Sequence, residues 1–313
     1  MESTEIAKVR GGKESKVLRF ERQEIPINLV QDITEAWEGI RVERVLADTP
    51  PSECVDLEIN LSREVRDGIN GLVYKLDVPQ AHTVPPLLGK FAPRGRNKPI
   101  VWEAWFYKEM QSLQGVSAPY CFGYFVATIP DGEEITPWVN DSMRGRRGRK
   151  YDSHPQMEKS YYDQGVGSFV ESNDNRKMLT RLESSRCVSM LLLERLGPPY
   201  LPEEENITPE ISDNVFALYD ELSHFGVNHY KVKRHHLRAP LQSSSAMPRL
   251  ISSRTSKDHA LRIINFEQSI RTPLVPHILH NVVRGALHSL GVEQSEDDST
   301  LPGSEGGLDG IEN

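Results

Sequence analysis

Gly226-Val227-Asn228-His229-Tyr230-Lys231-Val232-Lys233-Arg234-His235-His236-Leu237 is a short basic stretch set between two apolar segments. The lead-in is helical. Thr208 suits an N-cap and Pro209 the first helical position. Ile211, Val215, Leu218, Leu222 and Phe225 then recur at helical spacing. Gly226 suits the left-handed residue that ends a helix. Downstream, Leu261-Arg262-Ile263-Ile264-Asn265-Phe266-Glu267 reads as a short apolar strand with a polar end, and Phe266 as core. His235 and His236 alone would suggest zinc. Adjacent histidines point apart in extended chain, however, and no Cys-x-x-Cys accompanies them.

Working towards the N-terminus, Val188-Ser189-Met190-Leu191-Leu192-Leu193-Glu194-Arg195-Leu196 is a continuous apolar run with a charged end, stopped by Gly197-Pro198-Pro199. A helix is expected over 101–113, with Trp102, Trp105, Phe106, Met110 and Leu113 on its apolar side. Leu87-Leu88-Gly89-Lys90-Phe91 reads as a strand. Asp67-Gly68-Ile69-Asn70-Gly71-Leu72-Val73-Tyr74-Lys75 places a glycine pair between two strands, which by itself suggests a hairpin.

Taken in order, these pieces resemble the protein-kinase-like superfamily, specifically its divergent, shortened fungal-type members. Gly68, Gly71 and Val73 match the second and third glycines and the valine of G-x-G-x-x-G-x-V, with Arg66 at the first glycine. Lys90 matches the phosphate-binding lysine, and Glu103 the glutamate that pairs with it. Glu109 competes for that role, but six residues along a helix turn it about 240° away. Glu194 falls at the end of the strand leading to the hinge. The resemblance covers 61–267 and implies an α+β, two-lobed fold, with a β-rich N-lobe and a reduced, mostly helical C-lobe.

Against the catalytic-loop pattern His-x-Asp-x-x-x-x-Asn, His229 is in place. Lys231 stands at the Asp and His236 at the Asn. Asn265 and Glu267 replace the outer residues of Asp-Phe-Gly. A protonated lysine cannot accept a hydroxyl proton, and histidine suits magnesium poorly. Neutral Asn265 keeps an oxygen and loses the charge. Losing a general base costs a factor of about 10² to 10⁴. No Ala-Pro-Glu element follows, and one helix is expected near 277–290. The expectation is a pseudokinase: a binding or scaffold module with an unknown protein partner, holding ATP weakly and without magnesium. The alternative is a working but unorthodox ATP-dependent phosphotransferase that recruits Asp220, Asp258 or Glu267. Two of these beside Lys90 would favour it. A third reading is a structural remnant with a filled pocket. Lys90 and Glu103 also read simply as a strand lysine and a solvated helix residue, and the loop after Lys231 as a basic surface turn.

Within 313 residues, four regions are expected. These are an N-terminal extension, 1–60, partly disordered with a short helix at 27–45; an N-lobe, 61–196, with an irregular insert at 130–186; a C-lobe, 197–292; and a disordered acidic tail, 293–313. The insert carries Met143-Arg144-Gly145-Arg146-Arg147-Gly148-Arg149-Lys150, a solvated loop or a nuclear-localisation patch, and 174–182 suits one helical stretch. Residues 239–258, rich in Ser and Pro, are expected to be mobile. A formal charge of −8 argues against nucleic acid as the main partner. Cys54, Cys121 and Cys187 are scattered and odd in number, which suits a reducing compartment. The charged start suggests no signal peptide, and no apolar run nears the roughly 20 residues that span a bilayer. An intracellular protein, cytoplasmic or nuclear and off the membrane, is expected.

Overall fold

The computed structural model describes residues 3–4, 8–10, 15–25, 60–68, 71–78, 85–92, 97–130, 187–200, 207–229, 232–242, 247, 249–271 and 276–292. The short helix expected at 27–45, the insert from 131 to 186 with its helical stretch, Lys231 and the acidic tail lie outside them.

The chain is mixed α+β. Its first strands are β1 (Ser3–Thr4), β2 (Lys8–Arg10), β3 (Ser15–Val17) and β4 (Phe20–Arg22). The central ones are β5 (Asn60–Gly68), β6 (Gly71–Asp77), β7 (Leu87–Phe91), β8 (Cys121–Thr128) and β9 (Cys187–Glu194). They form one sheet in the order β1-β4-β8-β9-β7-β6-β5-β2-β3, whose middle, β8-β9-β7-β6-β5, is antiparallel throughout. Helix α1 (Asn97–Glu109) separates β7 from β8. Helix α2 (Pro209–His224) follows the sheet, and α3 (Pro276–Leu290) closes the described chain. Between them lie two small ladders, in which β10 (Val227–Asn228) pairs with β13 (Ile270–Arg271) and β11 (Leu237–Arg238) with β12 (Arg262–Ile263).

Strand β9 is buried along its whole length because both faces of the sheet are covered. Side chains alternate along a strand. Met190 and Leu192 therefore enter one core with Leu72, Leu76, Phe91 and Phe125. Leu191 and Leu193 enter the other, with α1, α2 and α3. Helix α2 starts as its sequence dictates, since Thr208 Oγ1 accepts the Ile211 N–H at 3.3 Å. It ends at Gly226, whose φ of 66° is a left-handed conformation that costs glycine little. Among the described residues, no helix is long and apolar enough to cross a membrane.

Two segments differ from their sequence reading. The N-terminal extension was expected to be partly disordered, with its order in a helix at 27–45, yet Leu18 and Phe20 are buried, Phe20 completely. They alternate with exposed Arg19 and Glu21, and the Phe20 ring meets Phe91 edge-on at 6.1 Å. Residues 249–259, expected within or beside a mobile insert, carry no regular element but are tied to α2 through buried Glu221. Ser252 Oγ donates to Glu221 Oε2 at 2.6 Å, and His259 Nε2 lies 3.2 Å from the same oxygen. Burial pulls the Glu221 pKa upward, but the hydrogen bonds from His259 and Ser252 outweigh it and hold the carboxyl below its usual range.

Truncating Phe20→Ala should cost about 3–5 kcal/mol and lower the urea midpoint at unchanged slope. A depressed carboxyl stabilises the fold above its unfolded pKa and loses that contribution as pH falls through the folded value. Amide protection of 249–259 should therefore be high at neutral pH and fall below the usual glutamate range. In Glu221→Gln the loss should already be present at pH 7, as hydrogen exchange would read.

Candidate functional site

Lys90 stands on β7, opposite Val73 of β6 and Leu191 of β9. Its ammonium has three N–H donors. They meet Glu103 Oε2 at 2.6 Å, Asn265 Oδ1 at 2.9 Å and Glu267 Oε2 at 3.0 Å. Glu103 comes from α1, and the other two flank Phe266. Lys90 and Glu103 are both buried. Burial alone would lower the lysine pKa, but the attraction of Glu103 and Glu267 raises it above the usual value, so Lys90 is an ammonium. For Glu103, burial dominates and raises the carboxyl above its usual range, against the pull of Lys90. One cation thus faces two carboxylates and a neutral amide.

Neighbouring contacts fix where these groups sit. Trp102 of α1 donates its indole N–H to the Ser269 carbonyl at 2.9 Å, which pins the helix to the chain just after Phe266. Trp102 also stacks on Trp105 at 5.3 Å. One turn past Glu103, Tyr107 meets Phe266 edge-on at 5.3 Å, and Phe266 meets His229 at 5.2 Å. The His229 Nε2–H donates to the carbonyls of Ile264 and Asn265 at 3.0 and 3.1 Å. Burial pushes the His229 pKa down to about 4, so the ring is neutral at neutral pH. The chain then turns at Asn265, with φ 73° and ψ 60°. Asparagine enters this left-handed region more readily than most residues.

Because Lys90 must face the carbonyl end of the Asn265 amide, its Nδ2 points to His236 Nε2, 3.4 Å away. The His236 ring therefore accepts at Nε2 and carries its proton on Nδ1. Glu194 is not part of this cluster. Its carboxylate accepts the Tyr120 N–H at 3.1 Å and lies 3.9 Å from Arg262, a fully buried guanidinium over the Tyr120 ring. Burial raises the Glu194 pKa, with Arg262 opposing. Gly68 and Gly71 face each other at the end of the β5–β6 hairpin.

The structure thus brings together Lys90, Glu103, Asn265 and His236, with Val73 in register beside Lys90. Of the three carboxylates open to recruitment, Glu267 alone meets Lys90. Asp220 pairs with Arg254 and lies 3.4 Å from His224, and Asp258 lies 3.3 Å from Arg249. Among the described residues, no group of three or more His, Cys, Asp or Glu side chains is arranged to hold a metal ion. Sequence reading missed the Glu221–Ser252–His259 cluster and the Arg262–Glu194 pairing. A lone Arg in an apolar strand was the signal for the second, and Glu221 did not stand out from Glu210, Asp213 and Asp220 of the same helix.

No family model matches this chain, and no curated protein matches it. Among solved structures, the BubR1 kinase domain aligns with 70% of the chain at 13% identity and a TM-score of 0.36. The chain spans about half of that structure's length, 49%. A likeness of this size carries no weight for fold or function.

Lys90→Ala should cost about 3–5 kcal/mol at pH 7, because it leaves buried carboxylates without their cation. Without the ammonium, the Glu103 pKa rises further above its unfolded value. A group with a raised folded pKa stabilises the fold at low pH and loses that contribution as pH rises. The deficit of Lys90→Ala should therefore shrink from pH 7 towards pH 5 in urea melts.

Proposed function

We propose that this chain is a divergent protein-kinase-like protein with a two-lobed fold, and that it works as a pseudokinase. In this reading it is a binding or scaffold module that holds nucleotide weakly and transfers no phosphate. The observation that carries it is the meeting of Lys90 with Glu103, 13 residues on, and with Asn265, 175 residues on, at one buried ammonium. Their order, strand lysine, helix glutamate, then Asn-Phe-Glu after a histidine-anchored loop, is the order that the sequence resemblance implies.

Phosphoryl transfer depends mainly on positioning and on metal-assisted charge neutralisation. In the proposed cleft, Asn265 offers a neutral amide and His236 an imidazole where that chemistry calls for anionic and amide oxygens. Glu267 is the one recruited carboxylate, and it is engaged with Lys90. This supports ATP binding without magnesium over turnover. Gly68, Gly71 and Val73 would cover the phosphates, and the backbone near Glu194 would meet the base. The unknown partner is proposed to be another protein, met inside the cell.

Thermal-shift titration with ATP, in chelator and then with magnesium, tests this reading. A nucleotide at about a hundred times its dissociation constant adds roughly 2.7 kcal/mol. The expected result is a small, metal-independent shift with no phosphate released or transferred. Metal-dependent turnover that Lys90→Ala abolishes would overturn the pseudokinase and favour an unorthodox phosphotransferase.

A further inference from the structure

Lys90 has no N–H left for a ligand. Each of its three donors already has an acceptor at 2.6 to 3.0 Å. The two carboxylates are not equivalent. The Glu103 side chain is 1% exposed, and that of Glu267 is 10% exposed. Glu103 is the inner partner, whereas Lys90 at 9% and Glu267 at 10% are exposed alike, so an anion arriving from solvent meets the Lys90–Glu267 pair and not a bare ammonium. The backbone holds Glu267 there. Phe266, the preceding residue, is fully buried between Tyr107 and His229, and residues Phe266–Gln268 form one tight turn. A carboxylate and a phosphate oxygen make the same charge-assisted bond to an ammonium, and they compete for it.

We propose that Glu267 is a built-in anion that takes the place of a ligand phosphate on Lys90, so that this one side chain sets the affinity for nucleoside di- and triphosphates. The inference rests on the nucleotide-site reading above. Binding a phosphate requires Glu267 to leave Lys90, and a second anion beside Glu267 is repelled while it stays. The penalty applies to the phosphates alone. Adenosine, which carries no phosphate, is indifferent to the Glu267 charge. Glu103 stays in place throughout and keeps the ammonium aligned.

Isothermal titration of ADP, ATP and adenosine in chelator tests the idea on wild type, Glu267→Gln and Glu267→Ala. Thermal melts check that each variant is folded. Glu267→Gln keeps the size of the side chain and one oxygen that can accept from Lys90 while removing the charge, so it covers the case in which Glu267→Ala unfolds. The expected result is at least about tenfold tighter ADP and ATP in both variants, with adenosine unchanged. Equal tightening of adenosine would overturn the proposal, because the effect would then not act on phosphate. Nucleotide binding by wild type that Glu267→Gln leaves unchanged would overturn it while the nucleotide-site reading stands. No binding of any of the three ligands by any folded variant would overturn both.

Discussion

The buried ammonium of Lys90 is the constraint on which the rest of the arrangement depends. A lone charge in a core costs far more than folding can spare, so it must be paired and hydrogen-bonded. Lys90 reaches that state through Glu103 of α1 and through Asn265 and Glu267 on either side of Phe266. The sheet, α1 and the turn after β12 are thereby tied together at one atom. Taking any acceptor away leaves an N–H of the ammonium without its partner inside the protein.

Around that atom, apolar packing supplies the rigidity. Tyr107, Phe266 and His229 meet edge to face in sequence, and His229 closes the line by donating to the backbone that turns at Asn265. Neutral His229 suits this role, since burial penalises a charged ring at this position. Trp102 adds an independent tie between α1 and Ser269. The residues flanking Phe266 thus owe their positions to Phe266, and the electrostatics of Lys90 follow from aromatic packing.

Much of this was legible in the sequence where local patterns are strong. Strand β9 showed as an apolar run because both of its faces are covered. The ends of α2 showed through Thr208, Pro209 and Gly226. Helical angle allowed only one of Glu103 and Glu109 to face inward, and the resemblance singled out Glu103. Phe20 was hidden because its strand is three residues long and charged around the one aromatic ring. Glu221 was hidden because its partners lie 31 to 38 residues away. Asn265 and Glu267 were read as lost catalytic residues. Their contact with Lys90 depends on a left-handed turn and on the packing of Phe266, and neither leaves a periodic trace.

A double-mutant cycle between Lys90 and Glu267 tests the central claim most directly. Urea denaturation at pH 7 would be measured for wild type, Lys90→Met, Glu267→Gln and the double variant. If Glu267 saturates the ammonium, the two changes are strongly coupled, by about 0.5–3 kcal/mol. If the two free-energy changes simply add, Glu267 does not share Lys90 in solution, and the picture of a lysine occupied from within is wrong.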